Sequence, residues 1–467
     1  MKKQILSLLA GLAIGSATML GADAPKYVFY FIGDGMGMGP VMAAESYWRD
    51  VRGRSVPLNM MQMPVVGWTR TFSASSPVTD SAAAGTALST GAKTRNGMLG
   101  QNADSVDVIS VARVMKDRGM GVGVLTSVAA DDATPGAFYA HVPHRKMFYD
   151  IDCALAASGY DFVGGAGIQG LKDKEGNDTD VAERLRREKV QVLHGPAALD
   201  SIGDGRVLLL NYEGSEPWNI GYTIDSIGDA TLHLPQMTRA CLAHLEKRSP
   251  EGFFMMVEGG NIDHALHGND GGAAIKEILN FDEAIGVAFD FYRSHPEETL
   301  ILVTADHDTG GMALGNLVLR YDARLGLFDA QRMSKEAFSA YCKGILKSRM
   351  NYTWDDMKEL LREKLGFFTV VPVSPEQEES LKAQFDKTFL ERNSADQKTL
   401  YASFNAFAVD VFRILNDAAG VGFTTTSHTG NPVPVFAVGV GADRFKGFNN
   451  NSDLPGHILD IINGRTN

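Results

Sequence analysis

Six short runs of the chain are apolar almost without interruption: 27–32, 122–126, 207–210, 253–257, 300–304 and 433–440. They are rich in β-branched and aromatic residues. Unbroken rather than alternating hydrophobicity marks strands buried on both faces. Between these runs lie helical patterns, over 106–117, 180–188, 237–247 and 273–293. Strands alternating with helices predict an α/β fold, with a mostly parallel central sheet and helices on both faces. Ligands in such sheets bind beyond the carboxyl ends of the strands, so the residues that follow each run are the place to look for chemistry.

The stretch 314–426 reads differently. It has few strand-like runs and many helix formers, notably over 334–347, 354–364 and 376–387. It is predicted to be a largely helical insertion, or cap. That leaves 25–313 as the first part of the α/β core and 427–467 as its C-terminal part, so the last strand must return to the core sheet. No internal repeat or low-complexity tract interrupts this plan.

The first 24 residues have the form of a signal peptide. Lys2 and Lys3 precede an apolar stretch at 5–14, and Ala22-Asp23-Ala24 offers a small-residue cleavage site. Export to the periplasm or medium of a bacterial cell is expected. No later stretch is apolar enough to span a bilayer.

Composition narrows the function. The chain has 467 residues, and its net charge of −12 provides no basic footprint for nucleic acid. An acidic surface does not draw phosphorylated ligands from a distance, so any phosphate site must gather positive charge locally. Cys153, Cys241 and Cys342 are odd in number and scattered, which implies neither a disulfide framework nor a thiolate metal site.

Several motifs follow the predicted strands. Gly33-Asp34-Gly35-Met36-Gly37-Met38-Gly39 is a Gly-rich turn carrying one acid. Its spacing is not that of a dinucleotide fingerprint, and Asp34 would repel a pyrophosphate. Gly165-x-Gly167-x-x-Gly170 does match that fingerprint, but turn-like residues follow it where a phosphate-binding helix is required. In Thr79-Asp80-Ser81-Ala82, Thr79 or Asp80 can cap a helix whose first turn holds Ser81. The helix N-terminus would stabilise an ester phosphate there. Asp132 and Thr134 offer oxygen ligands suited to magnesium, and Arg145 can grip two phosphate oxygens. Glu258 ends an apolar run. Asp263 and His267, four apart, share a helix face and make half of a zinc site. Asp306 and His307 follow another run, and His428 precedes the last one. Taken singly, most of these residues have ordinary readings as turn formers, caps or surface charges. Taken together, the acids Asp34, Asp132, Glu258, Asp263 and Asp306 would repel phosphate. Two zinc ions, one magnesium ion and Arg145 would turn that charge to a net of about +2.

This ordered set resembles the alkaline phosphatase family, across the mature chain from about Lys26 to Ala313 and from about Thr426 to the end. The resemblance implies that Asp263, His267 and His428 hold one zinc, and that Asp34, Asp306 and His307 hold a second, with Asp34 bridging toward magnesium. Glu258, Thr134 and Asp132 would serve the magnesium. Ser81 would be the nucleophile, passing through a phosphoserine. Arg145 would bind phosphate, with His264 nearby at a position where the family varies between Lys and His. The implied substrates are small phosphate monoesters. The insertion is compatible with contacts in a homodimer. Two other functions remain compatible with these residues: a two-metal hydrolase of diesters or sulfates, and a periplasmic metal- or phosphate-binding protein without turnover.

Overall fold

The computed structural model describes residues 24–225, 230–348 and 351–465. Apart from Ala24, the expected signal segment lies outside the described residues. Ten strands form one sheet: β1 Tyr27–Gly33, β2 Val65–Arg70, β3 Gly121–Thr126, β4 Phe162–Gly165, β5 Val190–His194, β6 Arg206–Leu210, β7 Phe253–Glu258, β8 Thr299–Ala305, β9 Val433–Gly439 and β10 Gly447–Asn450. Their order across the sheet is β10-β2-β9-β8-β1-β7-β3-β4-β6-β5. Every pairing is parallel except those of β9, which runs antiparallel to both β8 and β2.

The six apolar runs are all strands. β1, β3, β7 and β8 are buried almost throughout, as unbroken hydrophobicity requires. β2 and β5 carry no such run, because they lie at or near the sheet margins and expose alternate residues. The two faces of the sheet bury separate cores. Phe29, Phe31, Val257, Ile301 and Val303 point to one side, and Val28, Tyr30, Ile32, Phe254 and Leu302 to the other. The helix Gly271–Ser294 covers the first side through Ile278, Phe281 and Ile285. The helix Val111–Asp117 covers the second, and it starts later than the 106–117 pattern predicts. Ser110 caps it by accepting from Arg113 N at 3.1 Å, and Val106 and Ile109 are left exposed.

The stretch 314–426 is largely helical, with Lys335–Ser348, Trp354–Leu365, Pro375–Phe385 and a further helix, Ala406–Ala419. Its buried Phe338, Leu361, Phe407 and Phe412 are continuous with the first core of the sheet. The chain leaves and re-enters the core through two short antiparallel pairs. Leu314 faces Val421, and deeper in, Thr309 faces His428. All three cysteines are free thiols.

Candidate active site

Strand register assembles the acids. Gly33 pairs with Ala305, so Asp34 and Asp306 emerge side by side. Glu258, the last residue of β7, lies between Ile32 and Thr126. The helix Asn261–His267 begins three residues later and carries Asp263, His264 and His267, all buried. The antiparallel pair at Thr309 and His428 brings in the last histidine.

Ser81 is the first residue of the helix Ser81–Thr90 and is fully buried. Asp80 caps this helix, accepting from Ala83 N at 3.0 Å with one oxygen and from Gly97 N at 2.9 Å with the other. Ser81 Oγ lies 3.2 Å from His307 Nε2. The hydroxyl therefore sits at a helix N-terminus and at the edge of the carboxylate–imidazole group, an arrangement suited to holding an ester phosphate.

Ligand atoms of Asp34, Asp306 and His307 lie within 4.8 Å of one another, as do those of Asp263, His307 and His428. His267 Nε2 is 3.3 Å from Asp263 Oδ2 and 3.0 Å from His428 Nε2. The imidazoles are aimed by backbone. His267 Nδ1 donates to Thr426 O at 2.6 Å, and His428 Nδ1 donates to Thr79 O at 2.8 Å, which leaves each Nε2 lone pair facing inward. Asp306 Oδ1 accepts from Gly35 N at 3.0 Å and from His307 N at 2.8 Å. Its Oδ2 has no hydrogen-bond partner among the described residues; neither do Asp34 Oδ1, Asp263 Oδ2 and Thr134 Oγ1. Buried polar atoms left this way are costly unless a cation meets them. Carboxylate and imidazole donors suit zinc, and the oxygen set of Glu258, Thr134 and Asp132 suits magnesium.

The electrostatics agree. Burial, and then the charges of Asp306, Asp263, Glu258 and Asp132, hold the Asp34 carboxyl well above its usual range. Burial pushes Asp306 up to about 7 and Glu258 up to about 8. Burial acts upward on Asp263 too, but facing His267, His428 and His307 it falls well below the usual range. Burial pushes His307 well down. Several like charges in one dry pocket call for a compensating cation.

Arg145 lies across this cluster. Its Nη2 donates to Asp132 Oδ1 at 2.9 Å, and its Nη1 is 3.7 Å from Asp80 Oδ2.

A family profile described as Alkaline phosphatase matches residues 25–175 and 212–463. The chain belongs to the alkaline phosphatase family. It is accordingly an enzyme of the phosphoric monoester hydrolase class. The match runs through 314–426, which the sequence resemblance had left out. Alkaline phosphatase 4 of Bacillus subtilis (strain 168) is 29% identical over 449 residues, covering 94% of this chain and 88% of that protein. The crystal structure of a cold-active alkaline phosphatase from a psychrophilic Shewanella superposes with a TM-score of 0.78 at 28% identity, covering 93% of this chain and 99% of that one. The Thermus thermophilus alkaline phosphatase, 24% identical with a TM-score of 0.76 and coverage of 98% and 95%, shares the fold. Among the described residues, no helix is long and apolar enough to cross a membrane.

Every residue singled out as a candidate lies in or beside this one site. Sequence reasoning missed three contributors. Asp80 was read only as a cap. Thr309, whose hydroxyl donates to Asp263 Oδ1 and accepts from His307 Nδ1, carried no motif of its own. Tyr401, from the insertion, had no local signal at all.

The glycine motifs are explained by packing. A Cβ on Gly37 would lie 1.9 Å from Asp308 Oδ1, so that turn is tight for the sake of the site. Cβ atoms on Gly165, Gly167 and Gly170 would meet Val128 O, Pro217 and Asp152. Protein fills that apparent fingerprint, leaving no room for a nucleotide.

Proposed function

We propose that the enzyme is an exported alkaline phosphatase that hydrolyses small phosphate monoesters through a phosphoserine on Ser81, with two zinc ions and one magnesium ion. The observation that carries this reading is the Ser81 hydroxyl, at a helix N-terminus and 3.2 Å from His307 Nε2, beside two groups of convergent acids and imidazoles.

Asp263, His267 and His428 would hold one zinc. Asp34, Asp306 and His307 would hold the other, with Asp34 also facing the magnesium held by Glu258, Thr134 and Asp132. When bound, these ions supply Lewis acidity to the nucleophile and the departing oxygen, and positive charge to offset the phosphoryl oxygens.

Ser81 Oγ forms the new P–O bond as the alcohol leaves with its oxygen. Water then attacks phosphorus, the P–O bond to Ser81 breaks, and phosphate is released. During both steps the N–H groups of the helix start face the ester, favouring the anionic form. The Arg145 guanidinium, held through Nη2 by Asp132 and Tyr401, keeps its Nε and Nη1 donors for phosphoryl oxygens. His264 lines the same wall.

The test is the initial rate on an aryl phosphate monoester at mildly alkaline pH, before chelation, after it, and after adding back zinc with magnesium. Loss and recovery of activity are expected. A fully loaded protein that turns over a diester faster than the monoester would overturn the reading.

A further inference from the structure

A hairpin of the insertion reaches into the site. Residues Gln397–Lys398 pair with Ser403–Phe404 as a small antiparallel hairpin, closed by Thr399 N donating to Ala402 O at 2.8 Å. Tyr401 stands in its turn. The Tyr401 hydroxyl accepts from Arg145 Nη2 at 3.2 Å. Its ring lies on that of His264, with centroids 4.1 Å apart, and meets His267 edge-on at 5.3 Å.

The hairpin is held firmly enough for this contact to be specific. Lys343, on the helix Lys335–Ser348, pairs with Asp396 at 2.9 Å. Asn405 N donates to Ser339 Oγ at 2.7 Å. Lys335 Nζ lies over the Phe404 ring at 4.8 Å and donates to Gly268 O at 2.7 Å, just past the helix that carries Asp263 and His267. One lysine thus ties the hairpin to the ligand-bearing helix.

We infer that Tyr401 is a positioning residue for phosphate recognition, its hydroxyl fixing the Arg145 guanidinium while its ring packs on His264. Without the hydroxyl, Nη2 keeps only Asp132, and the long arginine side chain recovers rotamers that cost entropy to restrain when phosphate binds. The effect falls on affinity for the phosphoryl group, not on the bonds made and broken at Ser81.

Given the phosphate-binding role proposed for Arg145, the experiment compares the full chain with Tyr401→Phe, Arg145→Ala and the double variant, all loaded with zinc and magnesium. The inhibition constant for inorganic phosphate is measured together with KM and kcat on an aryl phosphate. Tyr401→Phe keeps the ring, so its melting temperature and metal content should match the wild type. It should weaken phosphate binding and raise KM by about three- to tenfold, the worth of one ordinary hydrogen bond, with kcat not reduced by more than about twofold. On the Arg145→Ala background it should add nothing. Wild-type phosphate affinity in Tyr401→Phe, where Arg145→Ala is weakened, would overturn the role of Tyr401 alone. So would an equal loss in both backgrounds, since Tyr401 would then act independently of Arg145. If Arg145→Ala itself bound phosphate normally, the role given to Arg145 would fail, and that of Tyr401 with it.

Discussion

His428 donates through Nδ1 to the backbone carbonyl of Thr79 at 2.8 Å, across 349 residues of sequence. Thr79 stands two residues before Ser81, so a histidine of the acid–imidazole cluster is aimed by the loop that leads into the helix of Ser81. The ring also stacks on His307, with centroids 3.6 Å apart. The proposed metal site and the proposed nucleophile are therefore built against each other, and a change in one should be felt in the other.

Replacing Ser81 with Ala should abolish turnover, by at least about a thousandfold, because no second nucleophile stands at that helix start. Zinc content and melting temperature should be unchanged. Intact-mass analysis of the wild type quenched with substrate should reveal one added phosphoryl group, absent from the variant. Full activity in the variant would refute the phosphoserine.

Thr309→Val removes a hydroxyl that serves Asp263 and His307 together. Such supporting partners typically account for about ten- to a hundredfold in metal affinity. Zinc titration against a competing chelator should show a loss of that order, and Thr309→Ser should recover most of it. Equal affinities for Val and Thr would show that the hydroxyl does not orient the ligands.

Metal loading should strengthen as pH rises. Burial leaves Asp306 at about 7 and Glu258 at about 8, so below those values each carboxyl holds a proton that a cation must displace. Apparent affinity should climb through pH 7 to 8. Asp263, held well below the usual range, should contribute no such slope. Affinity independent of pH between 6 and 8 would contradict this account.

Glu277 provides a stability test away from the metals. It accepts from Thr223 N and Oγ1, both at 2.7 Å, and burial pushes it up to about 7 from the usual 4.5. The folded state thus binds its proton more tightly than the unfolded one. The stabilisation it contributes is complete below pH 4.5 and is lost as pH rises through about 7, a swing of up to roughly 3 kcal/mol. Glu277→Gln should remove that slope, gaining stability relative to wild type as pH rises from 4.5 to 7. Denaturant melts giving parallel curves for the two proteins would sink the assignment.

Gly37→Ala would put a methyl group 1.9 Å from Asp308 Oδ1. Asp308 holds Thr429 at 2.5 Å and Asn431 at 3.2 Å, next to His428. The variant should lose stability and at least about tenfold in zinc affinity, measured by thermal melting and metal titration. Normal values for both would mean that the turn can shift without disturbing the site.

The central strands, the mostly parallel sheet and the helical nature of 314–426 were legible in the chain, because burial on two faces writes unbroken hydrophobicity and amphipathic helices write their period. The acids and histidines that converge could be picked out too, since such residues just past buried strands are costly without a purpose. Three things needed the tertiary structure. β2 and β5 expose alternate residues and leave weak local patterns. β9 runs antiparallel, and direction has no local signature; yet only an antiparallel strand puts His428, which precedes it, at the carboxyl edge where Asp34 and Asp306 end their strands. Tyr401 meets Arg145 across 256 residues, a contact made by long-range packing of the insertion on Gly268, just past the helix Asn261–His267. Local chemistry is set by neighbours in the chain, whereas convergence depends on register, strand direction and the closing of long loops.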